Sequence, residues 1–195
     1  MNQISVKTSN TLKINPLEII EKYYLPGSKI YNILVNHSEQ VKNKALYIAS
    51  LHPEMNLDIQ FIKEAAMLHD IGIFQCDAPR IYCNGNHLYI EHGYLGAEIL
   101  RKEGHPKHAL VCERHTGVGI SLEMIQKNKL PLPQRDLLPV SLEEKMICYA
   151  DKFFSKTELD VQLSLERIRK NLSKYGEFET IKFNEWHNIF EGEIR

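Results

Sequence analysis

NLDIQFIKEAAMLHDIGIF, residues Asn56–Phe74, is the stretch whose reading decides the fold. Ile59, Ile62, Ala66 and His69 recur at helical spacing, so a helix runs toward His69 with its apolar face inward. Asp58 stands where a cap would open that helix. The run closes on His69–Asp70 and then reaches Gly72, a residue that helix interiors disfavour. Two strongly polar side chains at the inner end of an apolar helix are costly unless something engages them. Two answers are open at this point: a pair that ties off the helix end near Gly72, or ligands of a metal ion.

The same periodicity extends outward in both directions. In residues 27–52, Ile30, Leu34, His37, Val41, Ala45 and Ile48 fall on one stripe, which puts His37 on the buried face. Residues 74–87, with Pro, Gly and Asn signals, read as a long loop. Residues 88–104 read as a helix with Leu88, His92, Leu95 and Ile99 on one face and Gly104 as its stop. A short helix follows, with His108, Cys112 and His115 on a shared stripe. Residues 128–140 carry three prolines and read as a second long loop. Ser141 and Glu144 form a capping-box signature for a helix that carries Asp151 on its inward side. Residues 157–195 read as two more amphipathic helices, anchored by Trp186 and Phe190. No repeat and no strand is predicted, so the expected fold class is all-α.

Composition narrows the function. The chain has 195 residues, 43% of them hydrophobic and 25% charged, which suits one domain, or one with an appendage, around a proper core. A formal net charge of −1 gives no global field toward nucleic acid or anionic membrane. Cys76, Cys83, Cys112 and Cys148 contain no CxxC pair, against a zinc ribbon or a thioredoxin-type site, and free thiols are expected. Residues 1–16 lack a continuous apolar core and no stretch is long enough to span a membrane, so a cytoplasmic location is expected.

His37, His69, His92 and His115 each occupy the apolar stripe of a different predicted helix or its end. A single histidine on such a face is more often a core residue bonded to a carbonyl. Four of them, with Asp70 and Asp151, make separate explanations less attractive than one shared cation. The order of these residues resembles the HD superfamily of metal-dependent phosphohydrolases, in its HDIG branch. The match rests on His37, on HDIG at 69–72, on His92 in EHGYLGAEIL, on His115 in RHTGVG and on Asp151 in YADK, over roughly residues 28–156. HTGVG and YADKF look closest to the subgroup that includes symmetrical diadenosine tetraphosphate hydrolases. The resemblance implies an all-helical bundle with the metal site at its centre. Residues 1–15 would be a loosely ordered segment, 16–156 the HD domain, and 157–195 C-terminal helices packed on it. It also implies that His37, His69, Asp70 and Asp151 hold one metal, and that Asp70 bridges to a second held by His92 and His115. Ile73 replaces the Lys that many relatives carry after HDIG, and no GYP motif follows His115.

The chemistry suits those residue types. Phosphoester hydrolysis needs a nucleophile at neutral pH, and a metal lowers the pKa of its water from about 15.7 to about 7. A mixed imidazole and carboxylate set suits iron, manganese, zinc, cobalt or nickel better than calcium. The expected function is hydrolysis of a small phosphorylated substrate, in particular a nucleotide, by a metal-activated water, with catalysis resting on Asp70 and His69. The alternatives are a phosphodiesterase or nuclease-type activity and a non-catalytic sensor of metal or nucleotide. Lys152, Lys145, Arg135 and His87 are the substrate-binding candidates, with Arg80 a further cation for phosphate. The Pro-rich loop of 128–140 is a candidate lid. His105 and His108 are expected to be structural, and His52 and His187 to face solvent.

Overall fold

The computed structural model describes residues 14–159 and 161–192, so most of the expected loose segment, residues 1–13, lies outside them. Among the described residues the chain is helical: α1 (Pro16–Ile20), α2 (Lys29–Leu51), α3 (Ile59–Leu68), α4 (His92–Lys102), α5 (Pro106–Arg114), α6 (Leu122–Lys127), α7 (Leu142–Asp151), α8 (Leu165–Leu172) and α9 (Glu177–Phe190). The helices begin where short polar side chains satisfy the first free N–H groups: Asn15 for α1, Ser28 for α2, Asp58 for α3, Ser121 for α6, Ser141 for α7 and Ser164 for α8. Ile14 and Asn15, inside the segment expected to be loose, are tied down: the Ile14 N–H donates to Glu64 Oε1 at 3.0 Å, and Asn15 caps α1.

Two large apolar cores and a smaller third one form, and the polar residues lie at the seam of the large two. One gathers Val41, Ala45 and Ile48 of α2, Ile62 and Ala66 of α3, α7, and Trp186 and Phe190 of α9. The other gathers α1, Leu34 of α2, Leu68, Ile71, Leu100 of α4 and Cys112 of α5. His37 therefore sits between Leu34 of one core and Val41 of the other. Tyr149 fastens α9 to the bundle: its ring packs 5.1 Å from Phe183, and its hydroxyl meets His187 Nδ1 and Glu191 Oε2, both at 2.8 Å.

α4 and α5 lie against each other, and α4 also crosses the turn after α3. The crossing is possible because of Gly72. A Cβ there would stand 2.2 Å from the His92 carbonyl oxygen and 2.4 Å from the Gly96 nitrogen. The φ of Gly72 is −83°, open to any residue, so glycine is required for space and not for conformation.

Several local expectations are corrected. Residues 74–87 are not all loop: β1 (Asp77–Ala78) pairs antiparallel with β2 (Cys83–Asn84), a ladder too short to show as alternation. α4 starts only at His92, after a tight turn over Tyr89–Glu91, which leaves Leu88 exposed. Ile59, in the first turn of α3, is also exposed, and the buried face runs through Phe61, Ile62, Ala65 and Ala66. Ser141 caps α7 as expected, but Glu144 turns to the Val140 N–H at 2.9 Å and to Arg114 at 3.0 Å. His52 and His187 do not face solvent freely: His52 Nε2 reaches the Phe190 carbonyl at 3.0 Å, and His187 serves Tyr149.

Candidate metal centre

Three elements deliver one cluster. His37 comes from the middle of α2, His69 and Asp70 from the turn that ends α3, and Asp151 from the last turn of α7. His37 Nε2 lies 2.9 Å from Asp151 Oδ1 and 3.1 Å from Asp70 Oδ2. His69 Nε2 lies 3.0 Å from Asp70 Oδ2 and 3.5 Å from Asp151 Oδ1. A second cluster uses the other oxygen of Asp70: Oδ1 is 3.3 Å from His92 Nε2 and 3.4 Å from His115 Nε2. All six side chains are buried.

The ring orientations decide between a capping pair and a metal. The Nδ1–H groups of His69, His92 and His115 donate to the carbonyls of Ala66, Tyr89 and Cys112, three residues earlier, each at 2.6 Å. A carbonyl accepts only from N–H, so Nε2 is the nitrogen each ring turns toward Asp70, and in the neutral rings of His92 and His115 it carries a bare lone pair. The Nε2 atoms of His92 and His115 stand 3.1 Å apart, two acceptors facing each other. Among the described residues, His69 Nε2 and both oxygens of Asp70 have no well-formed hydrogen bond. The Nε2 atoms of His92 and His115 and Oδ1 of Asp70, 3.1–3.4 Å apart, are converging acceptors in a dry site and repel one another unless a cation lies between them. Donors held at about 2.0–2.1 Å by one ion sit about 2.9–3.4 Å from each other, close to the 2.9–3.5 Å found here. The residues fit one metal at His37, His69, Asp70 and Asp151 and another at Asp70, His92 and His115.

The electrostatics agree. Burial pushes the His92 imidazole down to about 3 and lowers His115 as well, so both are neutral ligands at pH 7. Burial works against the Asp70 and Asp151 carboxylates, but Lys156 beside one and Lys152 beside the other hold both well below the usual range. Burial also works against a charged His69, yet Asp70 and Asp151 raise it to about 9. At pH 7, His69 thus carries a proton that an incoming metal must displace. Metal uptake at pH 7 should release about one proton per chain from this group, and apparent affinity should rise with pH up to about 9. Calorimetry in buffers of different ionisation enthalpy counts that proton, and uptake without release would contradict the assignment.

The substrate-binding candidates are placed unevenly. Lys152 reaches the centre, with its ammonium 2.7 Å from Asp151 Oδ2 and 3.2 Å from the His115 carbonyl. Lys145, two turns earlier, makes no side-chain ion pair among the described residues. Arg135 pairs with Glu113 at 2.9 Å, on the carboxylate that Arg101 also holds. His87 Nδ1 meets Glu91 Oε1 at 3.2 Å. The segment 128–140 packs Leu132 and Leu137 with Ile120 and Ile125 against Ile90 and Tyr94, beside His92. Two backbone hydrogen bonds between Ile120 and Leu137, at 2.8 and 3.0 Å, stitch it down. His108 is structural as expected, buried with its Nε2 3.1 Å from Glu64.

Sequence reading missed Lys156 and Tyr89. The Lys156 ammonium is 2.6 Å from Asp70 Oδ2, and the Tyr89 ring stacks on His92 at 4.6 Å. Two buried acids call for cations, and the lysine five residues past Asp151 was the available signal.

Comparison with known proteins places these residues in a wider group. A family model, the HD domain, matches residues 34–155. The chain is 34% identical over 161 residues to a tRNA (cytidine(56)-2'-O)-methyltransferase of Thermoplasma volcanium, covering 82% of this chain and 40% of that protein. A protein of the same name from Picrophilus torridus is 35% identical over 156 residues, covering 80% of this chain and 41% of that one. An uncharacterized protein of Methanocaldococcus jannaschii is 35% identical over 145 residues, covering 72% of this chain and 78% of that one. The chain therefore spans about two fifths of the length of the two methyltransferases. No solved structure matches the chain.

Proposed function

The chain belongs to the HD domain family, and from that premise we propose that it is a metal-dependent phosphohydrolase acting on a small phosphorylated substrate, in particular a nucleotide. The observation that carries this reading is the pair of ligand clusters sharing Asp70, with neutral Nε2 atoms and carboxylate oxygens aimed at common points. When bound, two metals would acidify a water and neutralise charge on the phosphoryl oxygens. The chain's own part is to hold the ligands rigid. The Ala66, Tyr89 and Cys112 carbonyls fix three imidazoles in one tautomer, and the Lys152 ammonium, held by the His115 carbonyl, fixes Asp151. Lys152 would add positive charge beside the phosphoryl group. No helix among the described residues is long and apolar enough to cross a membrane.

The test is metal analysis of the purified chain followed by a panel of mononucleotides, dinucleoside polyphosphates and cyclic nucleotides with several metals. His92→Ala or His115→Ala should cost one metal of two and His37→Ala should weaken the other, read by elemental analysis. Metal without turnover on any member of the panel would favour a sensor of metal or nucleotide. A second reading is favoured by the names of two relatives, which act on tRNA. In it the phosphoester belongs to RNA, and short oligoribonucleotides added to the panel separate it from the first.

A further inference from the structure

A small cavity of about 260 Å³ lies against the metal centre, lined by Ala78, Arg80, Ile81, Tyr89 and the segment Ser155–Thr157. Two of its walls are also parts of the centre's surroundings. Lys156 touches Asp70, the residue shared by both clusters, and Tyr89 stacks on His92 of the second. Through these two side chains the cavity is one residue removed from each cluster.

Its chemistry is that of an anion site. Arg80, on the exposed rim, and Lys156, largely buried, supply two cations. Ser155 and Thr157 supply hydroxyls that stand 3.0 Å apart. Glu158, next to Thr157 in the chain, is already clamped by Arg167 through both of its oxygens. Lys152 is committed to Asp151 and the His115 carbonyl away from this cavity, whereas Lys156, which engages Asp70 and the Tyr89 hydroxyl, forms part of the cavity wall. The volume falls below the range of about 300–1,000 Å³ typical of sites for drug-sized ligands. It suits one phosphoryl group and what is directly attached to it.

We propose that this cavity is the phosphoryl subsite of the phosphoester substrate, with Lys156 as the buried cation that positions the phosphoryl group against the clusters and Arg80 as the cation at the rim. The inference rests on the reading of the centre as a metal-dependent phosphoester site, and names where that substrate sits. Charge-assisted hydrogen bonds from Lys156 to phosphoryl oxygens would replace its contact with Asp70 Oδ2. That oxygen is also one the metal would use, so the ammonium and the metal draw on the same acceptor. Removing the ammonium should therefore act in opposite senses on metal and on phosphate.

The experiment uses the full chain, manganese and inorganic phosphate, each titrated by calorimetry. The manganese-loaded chain should bind phosphate, and Lys156→Met should weaken it at least about tenfold. Manganese affinity in the same variant should be unchanged or higher. A structural role would lower both affinities together, and that result would overturn the proposal. So would unaltered phosphate binding in Lys156→Met, or no phosphate binding by the parent chain. Arg80→Ala, on the exposed rim, covers the case in which Lys156→Met fails to fold. It should weaken phosphate several-fold with manganese binding unchanged, and no effect would remove the cavity from consideration. None of these readouts needs turnover, so phosphate bound in the cavity with every phosphoester inert would sink the hydrolase reading alone.

Discussion

Asp70→Ala should abolish metal binding at both clusters and, with it, the proposed phosphoester hydrolysis. Among the described residues Asp70 is the one member common to both ligand clusters. Its Oδ2 lies 3.0–3.1 Å from His69 and His37, and its Oδ1 3.3–3.4 Å from His92 and His115. Breaking a buried charged pairing costs about 3–5 kcal/mol, which is about 10²- to 10³-fold or more in affinity. Here that loss falls on both clusters at once, whereas His92→Ala touches one. The substitution also leaves the Lys156 ammonium without its carboxylate, so the melting temperature of the variant should be measured beside its metal content. Asp70→Asn separates the two effects, since it keeps the volume and one oxygen but removes the charge. A variant at Asp70 that folds and still carries both metals would refute the shared-ligand arrangement.

How much of this was legible in the sequence differs by scale. The helices and the six buried polar residues that converge in the two clusters read directly, because a buried face repeats at helical spacing and a polar residue on that face stands out. His37 between Leu34 and Val41 is the clearest case. The ladder of Asp77–Ala78 with Cys83–Asn84 did not read, since two residues a side carry no alternation. Leu88 and Ile59 fit the apolar register and are exposed, because each lies at or before the first turn of its helix, where the stripe has nothing to pack against. Lys156 was hidden for a different reason. It follows α7, where the chain turns back and the Leu163 N–H donates to the Phe153 carbonyl at 2.8 Å. Helical periodicity says nothing about which side chains such a turn returns to the site. Arg135 went the other way: its loop position suggested reach toward phosphate, and its guanidinium is engaged with Glu113, a carboxylate already shared with Arg101.

Gly72→Ala should destabilise the fold severely and take the second cluster with it. The added methyl would stand 2.2 Å from the His92 carbonyl oxygen, 2.4 Å from the Gly96 nitrogen and 2.8 Å from the Gly96 Cα. All three obstacles are backbone, so no rotamer change relieves them, and α4 must move outward as a body. Overpacking a core costs about 1–3 kcal/mol and occasionally more, and a wedge between two backbones belongs at the top of that range. For a chain of this size, about 3 kcal/mol lowers Tm by about 6–12 °C. His92 opens α4, so the same displacement draws its Nε2 away from Asp70 and His115. The first cluster hangs on α2, α7 and the end of α3, none of which has to move. The expected signature is therefore a large fall in Tm with one metal lost and one retained, measured by thermal melting and elemental analysis on the same sample. A variant that melts with the parent chain and keeps both metals would mean that α4 yields freely, and the glycine crossing would not be what holds His92 in place.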